Sequence, residues 1–465
     1  MQPLGVLAAL VLALAPVRAG AVPTQGDLDV LVVLARFPDR AMARPREDFT
    51  GRPEALVDRF VAYWTEVSSG RLRLHAHVAE PVVVLPEPRG RYVQRPQALA
   101  RDAVRALAAV APDADRDAMA RGGALVVFFA GVGQESHARA GGRGDPWSNY
   151  TSLAPPEHGF SETIVVAESE ETRAPDGHME ALSSFGVLCH EFGHLLGLPE
   201  LYAPSGKPHE GIGVWGLMGH GTWVGRGGHP PHLEAWSKLR LGWVDADTIT
   251  ETRRGVTLAP VEREPRVVKI PAVAERPYEY YLLEYRRRIG ADERLPGEGL
   301  LVWHVDERRQ SFRLAQAAPG HKLLHLVDAD GRGDLDRGTG GGGNRGDAGD
   351  PWVGASRLRR FLPALLVLWG GLATASAIFR LARAPRLGAV TARLLLGVAL
   401  VLAGAAVRPR PAICGPWTPG MAPYDGTPGR VLIGNIGPLG AVMRFDVHVA
   451  PASPPTSLVP RPGPG

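Results

Sequence analysis

Cysteine is nearly absent. A chain of 465 residues carries 2 of them, Cys189 and Cys414, too few for a fold stapled by a disulfide framework. Cys189 adjoins His190 inside a helical pattern and reads as a buried thiol rather than as a partner of Cys414, although export permits a disulfide. A one-signed charge excess is also missing. Lys and Arg total 52 against 48 Asp and Glu, a net +4. The basic residues are nearly all arginine with acids between them, so no stripe for a nucleic acid is present. Neither lysine nor arginine occurs before Arg18. The apolar run Leu4–Pro16 therefore has only the amino terminus as its positive end. Small residues at Ala19 and Ala21 still read as a signal-peptidase site. Residues 1–21 are expected to be a signal peptide, with a short membrane anchor as the alternative; either way the chain is exported, secreted or membrane-anchored with its folded part outside the cytoplasm.

What is present is organised around Ser183–Tyr202. It contains His190, Glu191 and His194 in the spacing HExxH. Positions four apart share one face of a helix, so the two imidazoles can grip one metal ion. Glu191 lies about 100° round the helix, where it can activate a water at that metal as general base. Phe185, Leu188, Phe192 and Leu195 form the opposite face and should bury the helix in a core. Catalytic zinc needs a third protein ligand. Gly197 can turn the chain back after the helix, and Glu200 then stands where HExxHxxGxxH proteases place a histidine. A carboxylate is an acceptable zinc ligand. Two alternatives stay open: a downstream carboxylate such as Glu234 as the ligand, or Glu200 supporting the site without touching the metal. Met218, in the glycine-rich turn Trp215–Trp223, fits the methionine turn of metzincins, and equally an ordinary core methionine.

The run His190–Tyr202 resembles the active-site segment of the immune-inhibitor-A-like secreted zinc metalloproteases. Trp215–Met218, Ala235–Val244, Tyr280–Arg286, Leu295–Asp306 and Asp328–Gly331 resemble the same family. The likeness extends from about residue 27 to 350 and resumes near 417–447. It implies a zinc-dependent endopeptidase with protein or peptide substrates. Relatives more usually carry aspartate where this chain has Glu200.

The rest of the chain divides by pattern. Residues 22–250 read as the catalytic domain: strands at Leu28–Arg36, Leu72–Val78, Ala124–Ala130 and Thr163–Ala167, helices at Pro53–Ser68 and Ala98–Ala111, then the metal helix. This is an α/β metzincin-like zinc protease domain with a mixed sheet. Thr163–Ala167 is expected at the sheet edge, where a substrate backbone can pair. Gln134–Gly159 reads as a long loop, its Asp145–Asn149 either lining the cleft or lying on the surface. His75 and His77 share a strand face and read as surface residues. His209, His220, His229 and His232 lie near the site in sequence, as substrate-binding or as plain loop residues.

Residues 251–356 turn to short strands, a β-sandwich-like domain. Its Asp328, Asp330, Asp334 and Asp336 are a candidate calcium loop or a solvated turn; Arg332 stands where an EF-hand would place a ligand. Residues 357–411 form a hydrophobic insert. Phe361–Phe379 is apolar and uncharged, long enough to span a bilayer, and 394–407 is a second apolar run. A transmembrane hairpin would put the arginines between them inside and return the chain for final strands within 412–450; a buried insert is the alternative. Residues 451–465 are Pro-rich and expected to be disordered. A rival functional reading is a non-catalytic, membrane-anchored peptide-binding module with a structural or vestigial zinc site.

Overall fold

A computed structural model describes residues 22–137, 144–173, 179–204, 207–309, 315–316, 318, 320–354, 421, 423–427 and 429–450. The signal segment, the apolar insert with Cys414 and the Pro-rich tail lie outside the described residues. Among the described residues, no helix is long and apolar enough to cross a membrane. The described chain divides into two compact units: Leu72–Pro199 with the residues up to Trp64, and Thr65–Arg71 with Glu200–Arg309 and the residues after Arg313.

The first unit is built on one mixed sheet. In chain order its elements are β1 (Gly26–Arg36), α1 (Leu56–Val67, whose last turn belongs to the second unit), β2 (Leu72–Val78), β3 (Val83–Val84), α2 (Pro96–Val110), α3 (Asp113–Arg121), β4 (Ala124–Val132), α4 (Gln134–His137), β5 (Asn149–Glu157), β6 (Phe160–Arg173), β7 (Met179–Leu182) and α5 (Phe185–Leu195). The sheet runs β2-β1-β4-β6-β5, with β3 on β1 and β7 on β6. β1, β2, β4 and β6 are parallel, and β5 is antiparallel to β6. Strands buried on both faces need unbroken apolar runs, and Val30–Ala35 and Leu125–Ala130 supply them. One face carries a core of Leu31, Val33, Val127, Phe129, Val165 and Ala167 under Leu99, Ala103 and Leu107 of α2.

Two expectations change here. Thr163–Ala167 is not the edge. It lies inside β6, flanked by β4 and β5, because its continuous apolar run suits an interior position. The edge is β5, formed from the second half of the expected loop, where Thr151 and Leu153 point inward and Ser152 and Ala154 outward. A helix also follows Pro112, which fixes its N-terminal boundary at Asp113.

The second unit contains α6 (Ala235–Arg240), β8 (Asp245–Thr248), β9 (Arg253–Leu258), β10 (Arg266–Pro271), β11 (Glu279–Arg286), β12 (Gly299–Asp306), β13 (Leu324–Leu326), α7 (Asp334–Arg337), β14 (Val431–Gly434) and β15 (Met443–Val449). β13-β12-β11-β10-β8 form one sheet and β14-β15-β9 another. Val268, Tyr281, Leu283 and Val302 of the first share a core with Val256, Ile433, Phe445 and Val447 of the second. The strands on the far side of the insert thus complete a sheet begun at β9, as a sandwich-like arrangement requires.

Candidate active site

The site begins with α5, of which every residue is buried. Its apolar face is fixed by aromatic rings of α1: Phe192 lies 5.0 Å from Phe60, edge to face, and 5.0 Å from Trp64. Burying a phenylalanine in this way stabilises by roughly 1.5–3 kcal/mol. Arg59 adds its guanidinium 4.1 Å over the Phe185 ring. Cys189 is a free, buried thiol among these side chains, and burial raises its pKa well above the usual thiol range, so it is not a reactive nucleophile.

His190 and His194 stand one turn apart, ring centroids 4.7 Å apart and perpendicular. His194 Nδ1 lies 2.9 Å from the Leu198 carbonyl oxygen. A proton on Nδ1 satisfies that carbonyl and leaves Nε2 as the nitrogen that could face a metal ion, the usual support for a metal-binding histidine. Leu198 is available because the helix stops sharply. The Gly197 N–H donates to the His194 carbonyl at 2.9 Å and the Leu198 N–H to the Gly193 carbonyl at 3.0 Å. Gly197 has φ +90°. This is the Schellman closure, which places a glycine just past the helix. The turned chain delivers Glu200: His190, His194 and Glu200 each offer one ligand atom, all within 4.8 Å of one another. Two imidazoles and a carboxylate form a donor set suited to zinc.

Glu191 is held by the edge strand. The Tyr150 N–H donates to Glu191 Oε2 at 2.7 Å, and the Tyr150 hydroxyl donates to Glu162 on β6 at 2.5 Å. Sequence reasoning missed both Tyr150 and the Leu198 carbonyl. The second is a backbone atom without a sequence signal. The first had one, the short alternation Tyr150–Leu153 inside an apparent loop. Upstream of it, Pro146, Trp147 and Asn149 line a cavity of about 420 Å³ with Tyr92, Pro96 and Leu99, while Asp145 pairs with Arg89 at 2.5 Å.

Other candidates find different employment. Glu234 is the N-cap of α6, accepting from the Ser237 N–H at 2.9 Å, and burial raises its pKa. His209 accepts from the Gly211 N–H at 3.3 Å, and burial lowers its pKa to about 4. His220 pairs with Glu210 at 2.9 Å, His229 with Glu293 at 3.4 Å and His232 with Glu66 at 3.1 Å. His75 and His77 pair with Asp27 and Asp115. Met218 is fully buried, and its carbonyl accepts from the Leu201 N–H at 2.9 Å. In the aspartate loop, Asp330 and Asp334 meet Asp347, which lies outside the expected 328–336 segment. Their oxygens are taken up by arginine and asparagine side chains and backbone N–H groups, and no further feature points to calcium.

Comparison with known proteins gives a likeness over the same stretch of chain. Residues 117–244 match the family described as "Immune inhibitor A peptidase M6, catalytic domain". The chain is 26% identical over 169 residues to the pre-pro-metalloprotease PrtV of two Vibrio cholerae strains, covering 31% of this chain and 16% of that protein. It is 32% identical over 113 residues to immune inhibitor A of Bacillus thuringiensis subsp. alesti, covering 22% of this chain and 15% of that protein. The match thus spans about a sixth of the length of these relatives. No solved structure gives a significant match. Residues 117–244, a segment that includes the HExxH helix, the glycine turn and Met218, are thus similar to the catalytic domain of the immune inhibitor A peptidases, and this likeness supports a metallopeptidase.

Proposed function

We propose that the chain is an exported zinc-dependent endopeptidase acting on protein or peptide substrates. The observation that carries this reading is the convergence of His190, His194 and Glu200 beside Glu191. These three residues would hold the ion, with Met218 as the methionine turn. When bound, zinc supplies Lewis acidity, polarising the scissile carbonyl and making water a stronger acid. Glu191 takes the proton from the attacking water and passes it to the leaving amine. The Tyr150 N–H fixes the carboxylate for that transfer. The outer edge of β5 offers backbone groups to an extended substrate. A closed structural site takes four protein ligands, whereas three converge among the described residues; the non-catalytic reading is therefore not favoured.

Residues 22–250 are proposed as the catalytic domain, with 251–356 and 412–450 as the sandwich-like domain. Export is supported by the apolar start of the chain and by the pre-pro designation of the Vibrio cholerae relative. Anchoring through 361–379 and 394–407 rests on hydropathy alone, and detergent partitioning of the full chain checks it. The activity test is casein hydrolysis by the zinc-loaded chain. Glu191→Ala is expected to lower the rate by 10²-fold or more, the general-base contribution being about 10²–10⁴-fold, while still binding one zinc. Undiminished hydrolysis by this variant would sink the mechanism.

A further inference from the structure

Behind the Trp215–Met218 turn, in the second unit, stands an arginine that no apolar core needs. Arg286 ends β11 and is fully buried. Its Nε–H and Nη2–H donate to the two oxygens of Asp292, each at 2.6 Å. Its Nη1 donates to the backbone carbonyl of Trp215 at 3.2 Å and to Glu284 Oε1 at 3.3 Å. Glu284 is fixed in turn by the Trp303 indole N–H at 2.9 Å. Asp292 also accepts from the His232 N–H at 2.9 Å, tying the chain that precedes α6 to the same pair.

The turn is gripped at its other points too. The Trp215 indole N–H donates to Asp350 at 2.8 Å. A Cβ on Gly216 would come within 2.7 Å of Glu234 Oε2 and 2.8 Å of Ile212 Cδ1, so that glycine permits the close approach. From the turn the bonds continue toward the candidate ligand. The Leu201 N–H donates to the Met218 carbonyl at 2.9 Å, and the Ile212 N–H donates to the Leu201 carbonyl at 3.0 Å. Leu201 is the residue after Glu200. One path therefore runs by hydrogen bonds from Asp292 through Arg286 to the Trp215 carbonyl, along the backbone of the turn to Met218, by a hydrogen bond to Leu201, and by the peptide bond to Glu200.

Burying an arginine–carboxylate pair costs desolvation, and an apolar replacement of similar volume is often as stable or more so. What an apolar replacement lacks is the donor on the Trp215 carbonyl. We infer that Arg286 is a positioning residue for the metal centre: through the Trp215–Met218 turn it fixes Leu201, and with it the carboxylate of Glu200. The inference rests on Glu200 as third ligand and deepens the proposed function. It assigns Arg286 no contact with substrate or metal.

The test reads zinc affinity of the full chain by chelator competition, beside the melting temperature of the zinc-free form. Arg286→Lys keeps a charge and loses the fork; the pair Arg286→Met with Asp292→Leu removes both ions together. Both are expected to weaken zinc binding by about tenfold or more, the effect usual for partners that orient metal ligands, with the zinc-free melting temperature of the paired variant close to the parent's. A paired variant that folds and binds zinc within about twofold of the parent overturns the inference. If the paired variant does not fold, Arg286→Lys is compared with Val302→Ala, a core truncation in the same unit. A loss of zinc affinity no larger than that of Val302→Ala then overturns it. Glu200→Gln separates the two levels: normal zinc binding by that variant removes the ligand reading itself, whereas weakened binding there with unaffected Arg286 variants removes only the positioning role.

Discussion

Two turns serve the proposed centre, and they are built by opposite means. The turn after α5 is closed by its own neighbours. Gly193, His194, Gly197 and Leu198 bond to one another, and Gly197 alone supplies the unusual φ. The Trp215–Met218 turn is held by residues remote in sequence: Arg286 on its first carbonyl, Asp350 on its indole and Leu201 on its last carbonyl. A short-range turn is specified wherever its residues occur together. A long-range turn exists only once the strands that carry its partners have assembled. The first can therefore be damaged by one backbone change, while the second should weaken in steps as partners are removed.

The largest expected effect lies beneath the short-range turn. Phe192→Ala removes the ring that packs on Phe60 and Trp64, and should cost about 3–5 kcal/mol; urea unfolding measures it. A loss under about 1 kcal/mol would mean that α5 is not anchored by this face. Next comes Gly197→Ala. A side chain at φ +90° costs on the order of 1–3 kcal/mol, and the strain falls between His194 and Glu200. The rise in melting temperature on adding zinc should shrink along with stability. An undiminished rise would separate the turn from the metal.

The smallest effect belongs to the long-range turn. Burial pushes the Asp350 carboxyl up to about 7. A group whose folded-state pKa is raised adds stability that is complete below its unfolded pKa and is lost as pH climbs through the folded value. The parent should therefore lose stability from this group between about pH 4 and pH 7. Asp350→Asn keeps an oxygen for the Trp215 indole and has no proton to lose. Its melting temperature should vary less over that range and exceed the parent's at pH 8 by roughly 2–4 °C, equivalent to about 1 kcal/mol. Parallel curves for the two proteins would show that Asp350 ionises normally.

Much of the site is legible in the order of the residues. HExxH fixes a helical face because the period of the α-helix is invariant, and Gly197 with Glu200 follows from local turn chemistry. The apolar runs of β1, β4 and β6 mark the interior strands for the same reason. The edge strand cannot be ranked this way. Thr163–Ala167 has the stronger β pattern, yet position in a sheet depends on which neighbours pair with a strand, and β5 with its two prolines resembles a loop. Glu234 shows the same limit: a carboxylate near a metal motif and a helix N-cap look alike until the Ser237 N–H is seen bonded to it.

The amino-acid sequence by itself determined the chemistry on offer: two imidazoles and a carboxylate on one helical face, a glycine that must turn the chain, and a second carboxylate after it. These depend on interactions a few residues long. Tertiary structure alone decided that the Tyr150 N–H restrains Glu191 and that a buried Arg286 grips the Trp215 carbonyl. Backbone donors and acceptors are the same in every residue, so nothing in a side-chain pattern says which of them will meet a functional group. Only the packing of strands and helices makes that choice.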